Sequence, residues 1–342
     1  MNTEIYGTFG PSCKSKEVLE EMIQHGLTGM RLNLSHATLE QSREYIINYR
    51  EAAKNKEVVP QILMDMQGPE LRIGDVEETR LEVGSNVFFV EADSHVQDPK
   101  GDEIRIPVPP PVLTALSAGM ELLLDDGKMR MKIEQAKDHY ATASVLVGGV
   151  IKPHKSIKII DVNVQMPVLT KHDIENLRKA KEYGVTALMQ PFVFSGKDLE
   201  KVKKVLKEEG IEELKVFAKI ENKIGIKHLE SILPYADMIV IARGDLGNDM
   251  PLWELPGAQK RIENICKSYG KPYMVVTQML ASMENNPVPT RAEVSDVFHA
   301  VYHGANAVMV TGETAVGKYP QEVIKYLTNT SRQAEEMREK ES

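Results

Sequence analysis

The chain reads as an α/β protein: a closed TIM (β/α)8 barrel with a small β-rich lid domain inserted after the third strand. Apolar strand-like runs end in functional side chains. Arg31, Asn33 and Ser35 close TGMRLNLS, Asp65 follows QILM, and Lys219 and Glu221 close LKVFAKIE. Arg243 and Asp245 follow DMIVIA, Thr277 follows YMVV and Thr311 follows AVMV. Strands covered on both faces are apolar throughout, and parallel barrels assemble their chemistry at the carboxyl ends of several strands. The chain's 342 residues exceed the roughly 250 of one barrel, which leaves room for an insertion.

Hydrophobic period and helix start and stop signals place the elements in order. A strand over 4–8 precedes a helix over 16–25; a strand over 29–34 precedes a helix over 39–54; a third strand covers 61–66. From about 75 to 160 the alternation gives way to short β-like stretches (VFFVEA, ATASVLVG, SIKIIDV) and a Pro-rich turn at 107–111. These are the marks of a separate β-rich unit. The rhythm resumes with a helix over 172–183, then strands over 187–190, 215–220, 238–242, 273–277 and 307–311, and a last helix over 320–338. The expected division is barrel 1–72, insertion 73–160 and barrel 161–342. An open doubly wound sheet is the alternative, but the polar residues come from too many strand ends for one switch-point crevice.

Composition narrows the function. Hydrophobic residues make up 42% and charged residues 27%, the profile of a globular protein. A net charge of -8 opposes nonspecific binding to nucleic acid or anionic membrane, so neither is an expected partner. A phosphate substrate is compatible if Lys and Arg gather at one mouth. Cys13 and Cys266 lie far apart without metal-ligand spacing and are expected to be reduced in a cytoplasmic protein. MNTEIYGTFGPS lacks the layout of a signal peptide, and no apolar run reaches the ~18 residues of a membrane helix.

Lys219 and Glu221, two apart at a strand end, point the same way. With Asp245 from the next strand they offer two carboxylates suited to Mg2+, which takes one or two carboxylates plus substrate oxygens. Lys219 would neutralise charge developing on the substrate. A rim salt bridge is the competing reading, weakened by the coupling of two strand ends. Gly244 and Gly247 flank Asp245 in a short helical turn where backbone can approach an anion. Arg31 suits a phosphate, and Asn33, Ser35 and Asp65 form an oxygen-rich cluster suited to a cation. A hydrogen-bonded plug without an ion is the open alternative for that cluster. Thr290 and Glu293 have the spacing of a capping box.

In order, GPSCKSKEVLEEMIQHG, MRLNLSHAT, DMQGPELRIG, LLDDGK, KIEN, ARGDLG, GKPYMVVTQMLASM, PTRAEVSDVFHAV and GANAVMVTGETAVGKYPQEVI resemble the pyruvate kinase family. The resemblance covers both parts of the barrel and, more loosely, the insertion. It implies transfer of a phosphoryl group from phosphoenolpyruvate to ADP, giving pyruvate and ATP, as in glycolysis, with Mg2+ and K+ as cofactors. By resemblance, Arg31 and Lys219 hold the phosphoryl group, and Glu221 and Asp245 hold Mg2+. Gly244, Asp245 and Thr277 receive the carboxylate, and Thr311 belongs to the proton-delivering network. Asn33, Ser35, Asp65 and the Met66 carbonyl resemble the K+ site, and Glu70 the version tied to K+ dependence. Pro11, Asn33, His36 and Arg72 fall where the family binds nucleotide, and the inserted domain would be a mobile lid.

The chain departs from the family pattern at Met66, Gln67, Pro191 and Val316 and over 157–161. It also stops after the last barrel helix, so a short form without the carboxy-terminal regulatory domain is expected, with a homodimer through barrel helices. The changes on the nucleotide and lid side motivate an alternative, a related barrel enzyme acting on another enol phosphate. A Mg2+-enolate lyase and a silent binding module are the remaining readings; intact Lys219, Glu221 and Asp245 oppose the last.

Overall fold

The computed structural model describes residues 2–35, 37–92, 104–125, 127–160, 162, 164 and 166–341. The first elements alternate: β1 (Glu4–Thr8), α1 (Lys16–Gln24), β2 (Gly29–Asn33), α2 (Arg43–Asn55) and β3 (Gln61–Asp65). A run dominated by strands follows: β4 (Thr79–Leu81), β5 (Asn86–Val90), β6 (Ile104–Pro107), the short α3 (Pro110–Ala115), β7 (Glu121–Leu124), β8 (Met129–Lys137), β9 (Tyr140–Val147), β10 (Gly149–Ile151) and β11 (Ile157–Ile159). Alternation then returns with α4 (Lys171–Lys179), β12 (Ala187–Gln190), α5 (Gly196–Glu208), β13 (Lys215–Ile220), α6 (Lys223–Lys227), α7 (Leu229–Ile232), β14 (Met238–Ala242) and α8 (Arg243–Asn248). The last are α9 (Leu255–Ser268), β15 (Tyr273–Val276), α10 (Arg291–Tyr302), β16 (Ala307–Met309), α11 (Gly312–Ala315) and α12 (Pro320–Glu341).

Chain contacts divide the protein into two compact units, residues 1–68 with 168–342, and residues 69–167. In the first, eight parallel strands close in the order β1-β16-β15-β14-β13-β12-β3-β2. The two-residue period of each strand sorts its apolar side chains into two layers. Tyr6, Leu63, Met189, Phe217, Val240, Met274 and Met309 fill the barrel lumen. Their neighbours Ile5, Ile62, Leu188, Val216, Ile239, Val275 and Val308 pack outward in the larger core shared with the helices. Methionine suits the tapering interior because its unbranched chain adapts to irregular gaps.

The second unit is a six-stranded mixed sheet, β11-β7-β8-β9-β5-β6, with a separate β10-β4 pair. It is antiparallel except between β5 and β6. Its own core includes Val87, Phe89, Leu122, Leu124, Met131 and Val145.

Several element ends differ from the sequence expectation. The helix expected from residue 39 starts at Arg43, because Thr38 and Gln41 close a local turn (Gln41 N to Thr38 Oγ1 3.1 Å, Thr38 N to Gln41 Oε1 2.8 Å). Residues 277 and 311, expected to finish their strands, stand outside β15 and β16. Both are threonines at the barrel mouth, and both leave the extended conformation there.

Candidate active site

The carboxyl ends of β2, β3, β13 and β14 carry a knot of charge. Lys219, near the end of β13, brings its ammonium 2.7 Å from Glu221 Oε1 and 3.5 Å from Asp65 Oδ1. Arg31 on β2 places Nε and Nη2 2.7 and 2.6 Å from Asp65 Oδ2. Register explains the meeting: Arg31 and Asn33 lie beside Leu63 and Asp65, and Lys219 lies beside Val240 of β14. The Asp65 and Glu221 side chains are each only 3% exposed, against 12% for Arg31 and 15% for Lys219, so water screens these charges little.

Burial by itself would push Lys219 down, but the carboxylates of Asp65, Glu221 and Asp245 outweigh it. They hold the ammonium well above the ordinary lysine range, opposed only in part by Arg31. Lys219 is therefore a fixed cation at physiological pH. Asp245 acts on that ammonium from the exposed first turn of α8. Glu221 and Asp245 thus both act on Lys219, from the ends of adjacent strands.

The oxygen atoms test the fit of a cation. Glu221 Oε2 accepts a hydrogen bond from Phe192 N at 2.9 Å, but Glu221 Oε1 and Asp65 Oδ1 are buried without a hydrogen-bond donor, their close approach to Lys219 being off-axis. The Lys219 ammonium compensates their charge, and the lone pairs it leaves unbonded can serve a further cation. Among the described residues no three His, Cys, Asp or Glu side chains converge as a closed metal site. What remains is an open, two-carboxylate, all-oxygen set at Glu221 and Asp245, which fits Mg2+ with substrate oxygens as further ligands. At the other cluster, Asn33 Oδ1 accepts Ser35 N at 3.2 Å and Asp65 Oδ2 is taken by Arg31.

The turn after β15 carries strain. Thr277 has φ 77° and Gln278 φ 54°. A β-branched residue in this region is disfavoured, at a cost of about 1–3 kcal/mol, and persists only where its surroundings impose it. Gly244 lies against it: a Cβ at 244 would approach Thr277 Cγ2 to 3.1 Å. Thr311 is held by Glu313, whose Oε2 accepts its backbone N at 2.7 Å and its hydroxyl at 3.3 Å. Glu313 Oε1 accepts Leu280 N at 3.1 Å. This buried carboxylate therefore joins the two threonine-bearing turns.

Pro11, Arg72, Glu70 and Met66 have surroundings of their own. Pro11 is exposed in a 3-10 turn over Pro11–Cys13. Arg72 and Glu70 belong to the second unit, where Glu70 Oε2 accepts Arg72 Nε and Nη2 at 3.1 and 2.8 Å, and the His154 carbonyl accepts Arg72 Nη1 at 2.7 Å. His36 lies outside the described residues. Met66 is buried directly after β3. Both cysteines are free and buried, and burial pushes Cys13 up to about 11 and Cys266 up to about 12.

Sequence reasoning passed over two supporting residues, Asp173 and Glu313, and gave Arg243 no partner. Asp173 caps α4 by accepting from Thr170 N and Oγ1, and its other oxygen accepts Gln67 N and Gly68 N at 3.0 and 3.3 Å, pinning the loop after Asp65. Thr170-x-x-Asp173 is legible as a cap, but its second partner comes from a hundred residues away in sequence. Glu313 and Arg243 give no local signal of what they hold.

A closed parallel barrel with an oxygen-rich centre holding two cations at its carboxyl-end mouth has the positioning and charge that phosphoryl transfer asks for, and the family matches place it among the phosphotransferases. The family model for the pyruvate kinase barrel domain matches residues 1–324, and the chain belongs to the pyruvate kinase family. It is 37% identical over 341 residues to the pyruvate kinase of Thermococcus litoralis, covering 98% of this chain and 70% of that one. It is 34% identical over 334 residues to that of Chlamydia trachomatis serovar D (97% and 68%). With that of Methylorubrum extorquens it shares 36% identity over 335 residues (97% and 68%).

Proposed function

We propose that the chain transfers the phosphoryl group of phosphoenolpyruvate to ADP, yielding pyruvate and ATP, with Mg2+ and K+ as cofactors. The observation that carries this reading is the Lys219 ammonium held among Asp65, Glu221 and Asp245 beside the Arg31 guanidinium. Three carboxylates against two cations leave this centre one negative charge; a bound divalent cation would make it positive by one, matched to an anionic substrate. Glu221 and Asp245 would hold Mg2+, which supplies a Lewis acid for the substrate oxygens.

Arg31 and Lys219 would grip the phosphoryl group as its bond to the enol oxygen breaks and a bond to the terminal phosphate oxygen of ADP forms. Phosphoryl transfer asks mainly for such positioning and charge neutralisation. The backbone N–H groups of Gly244 and Asp245 with the Thr277 hydroxyl would receive the carboxylate. Thr311 would relay the proton that the released enolate takes up at carbon. Asn33, Ser35, Asp65 and the Met66 carbonyl are assigned to K+, with Glu70 as the residue tied to K+ dependence, and Pro11, Asn33, His36 and Arg72 to the nucleotide.

The test is an assay with phosphoenolpyruvate, ADP, Mg2+ and K+. Pyruvate formed in step with ATP is the expected result, and no pyruvate above background rejects the reading. We also propose a homodimer through barrel helices, supported by Leu252 and Trp253, apolar side chains 70% and 83% exposed ahead of α9.

A further inference from the structure

Arg243 occupies the first position of α8, directly before Gly244 and Asp245, yet its side chain turns to the next strand end. Its Nη2 donates to the Thr277 carbonyl at 2.8 Å. Nε is shared between the carbonyls of Thr277 at 3.2 Å and Val276 at 3.3 Å. Nη1 donates to Asp296 Oδ1 on α10 at 2.8 Å, and Nη2 also rests 2.9 Å from Met279 Sδ. The Arg243 side chain is 12% exposed, so it is held by these partners rather than by water. The residue it grips is the β-branched Thr277 in its left-handed conformation.

We propose that Arg243 is a positioning residue for the carboxylate subsite, its guanidinium fastening the strained Thr277 turn against the Gly244–Asp245 backbone that the same residue introduces. The inference rests on the reading of Thr277, Gly244 and Asp245 given above. The planar fork is what the task requires. Two parallel donors reach successive carbonyls while the far side pairs with Asp296, and an ammonium on a flexible stem can satisfy one of these at a time. None of these partners is a residue assigned above to the phosphoryl group or the nucleotide, so its loss should weaken one substrate and spare the other.

The experiment compares Arg243→Lys and Asp296→Asn with the wild type, measuring KM for phosphoenolpyruvate and for ADP and solving the Arg243→Lys crystal structure. Arg243→Lys is expected to raise KM for phosphoenolpyruvate on the order of ten- to a hundredfold, the scale of a small misplacement. KM for ADP should stay unchanged and Thr277 should relax to negative φ. Asp296→Asn, which leaves the carbonyl bonds in place, should shift the same constant by less, and it decides the matter if Arg243→Lys does not fold. Parallel rises in both KM values, a fall in melting temperature alone, or Thr277 still at positive φ in the Arg243→Lys structure would overturn the proposal. If the wild type itself makes no pyruvate, the proposed reaction fails, and the φ of Thr277 in the variant still decides whether Arg243 holds the turn.

Discussion

Lys219 is the residue on which most of the site's electrostatics converge. Replacing it by Met leaves Asp65, Glu221 and Asp245 facing one another with Arg31 as the remaining cation. Breaking such a buried pairing costs about 3 kcal/mol, and losing a charge aimed at the transferred group lowers kcat on the order of a hundred- to a thousandfold. The pH dependence has a definite sign. The folded-state pKa of Lys219 is raised, so its stabilisation is fully present below the ordinary lysine value of ~10.4 and is lost only as pH rises through the higher folded value. Melting curves of wild type and Lys219→Met should therefore keep a constant separation from about pH 7 to pH 10. A gap that closes within that window would contradict the assignment. Asp245→Ala is a different case: the side chain is exposed, so Mg2+-dependent turnover should vanish while the melting temperature barely moves. Wild-type rates in that variant would remove Asp245 from the metal site.

Among the elements, α10 shows how a capping device serves the mouth. Glu293 accepts from Thr290 N and Oγ1 at 2.8 and 2.9 Å and from Ser282 N and Oγ at 2.7 and 2.5 Å, so one carboxylate starts the helix and anchors the preceding turn. Burial would raise its pKa, but the hydrogen bonds from Ser282 and Thr290 outweigh it and hold the carboxyl below the usual range. Its contribution is present above the ordinary Glu value of ~4.3 and fades as pH falls through the lower folded value. Glu293→Gln should lower stability by about 1 kcal/mol near neutral pH, in line with a lost cap. Denaturant titrations should show the difference shrinking in acid; a difference that grows there would refute it. The capping box was readable from spacing alone, since Thr290 and Glu293 are three apart. That the same carboxylate also holds Ser282 was not, because nothing local links the two segments.

At the scale of the whole molecule, K+ and self-association are the quantities to measure. If Asn33, Ser35, Asp65 and Met66 bind a monovalent cation, replacing K+ by Na+ should cut turnover severalfold; equal rates would leave the cluster as a hydrogen-bonded plug. Trp253 is the single tryptophan of the chain and 83% exposed, which makes it a reporter of the proposed dimer. Its emission should shift to the blue with rising protein concentration, in step with mass from sedimentation. An invariant spectrum on a dimer would move the interface elsewhere. The described helices include none long and apolar enough to cross a membrane.

The amino-acid pattern alone determined the eight parallel strands, their order along the chain and the charged residues at their ends, because barrel strands advertise themselves by uniform apolarity broken at one terminus. Tertiary structure alone decided which of those charges meet. Arg31 and Lys219 share Asp65 through strand register, Glu313 spans two turns, and Arg243 reaches the neighbouring strand end to hold Thr277. The same physics explains why Thr277 and Thr311 looked like strand residues: β-branched side chains favour extended backbone locally, and only long-range partners can hold them out of it.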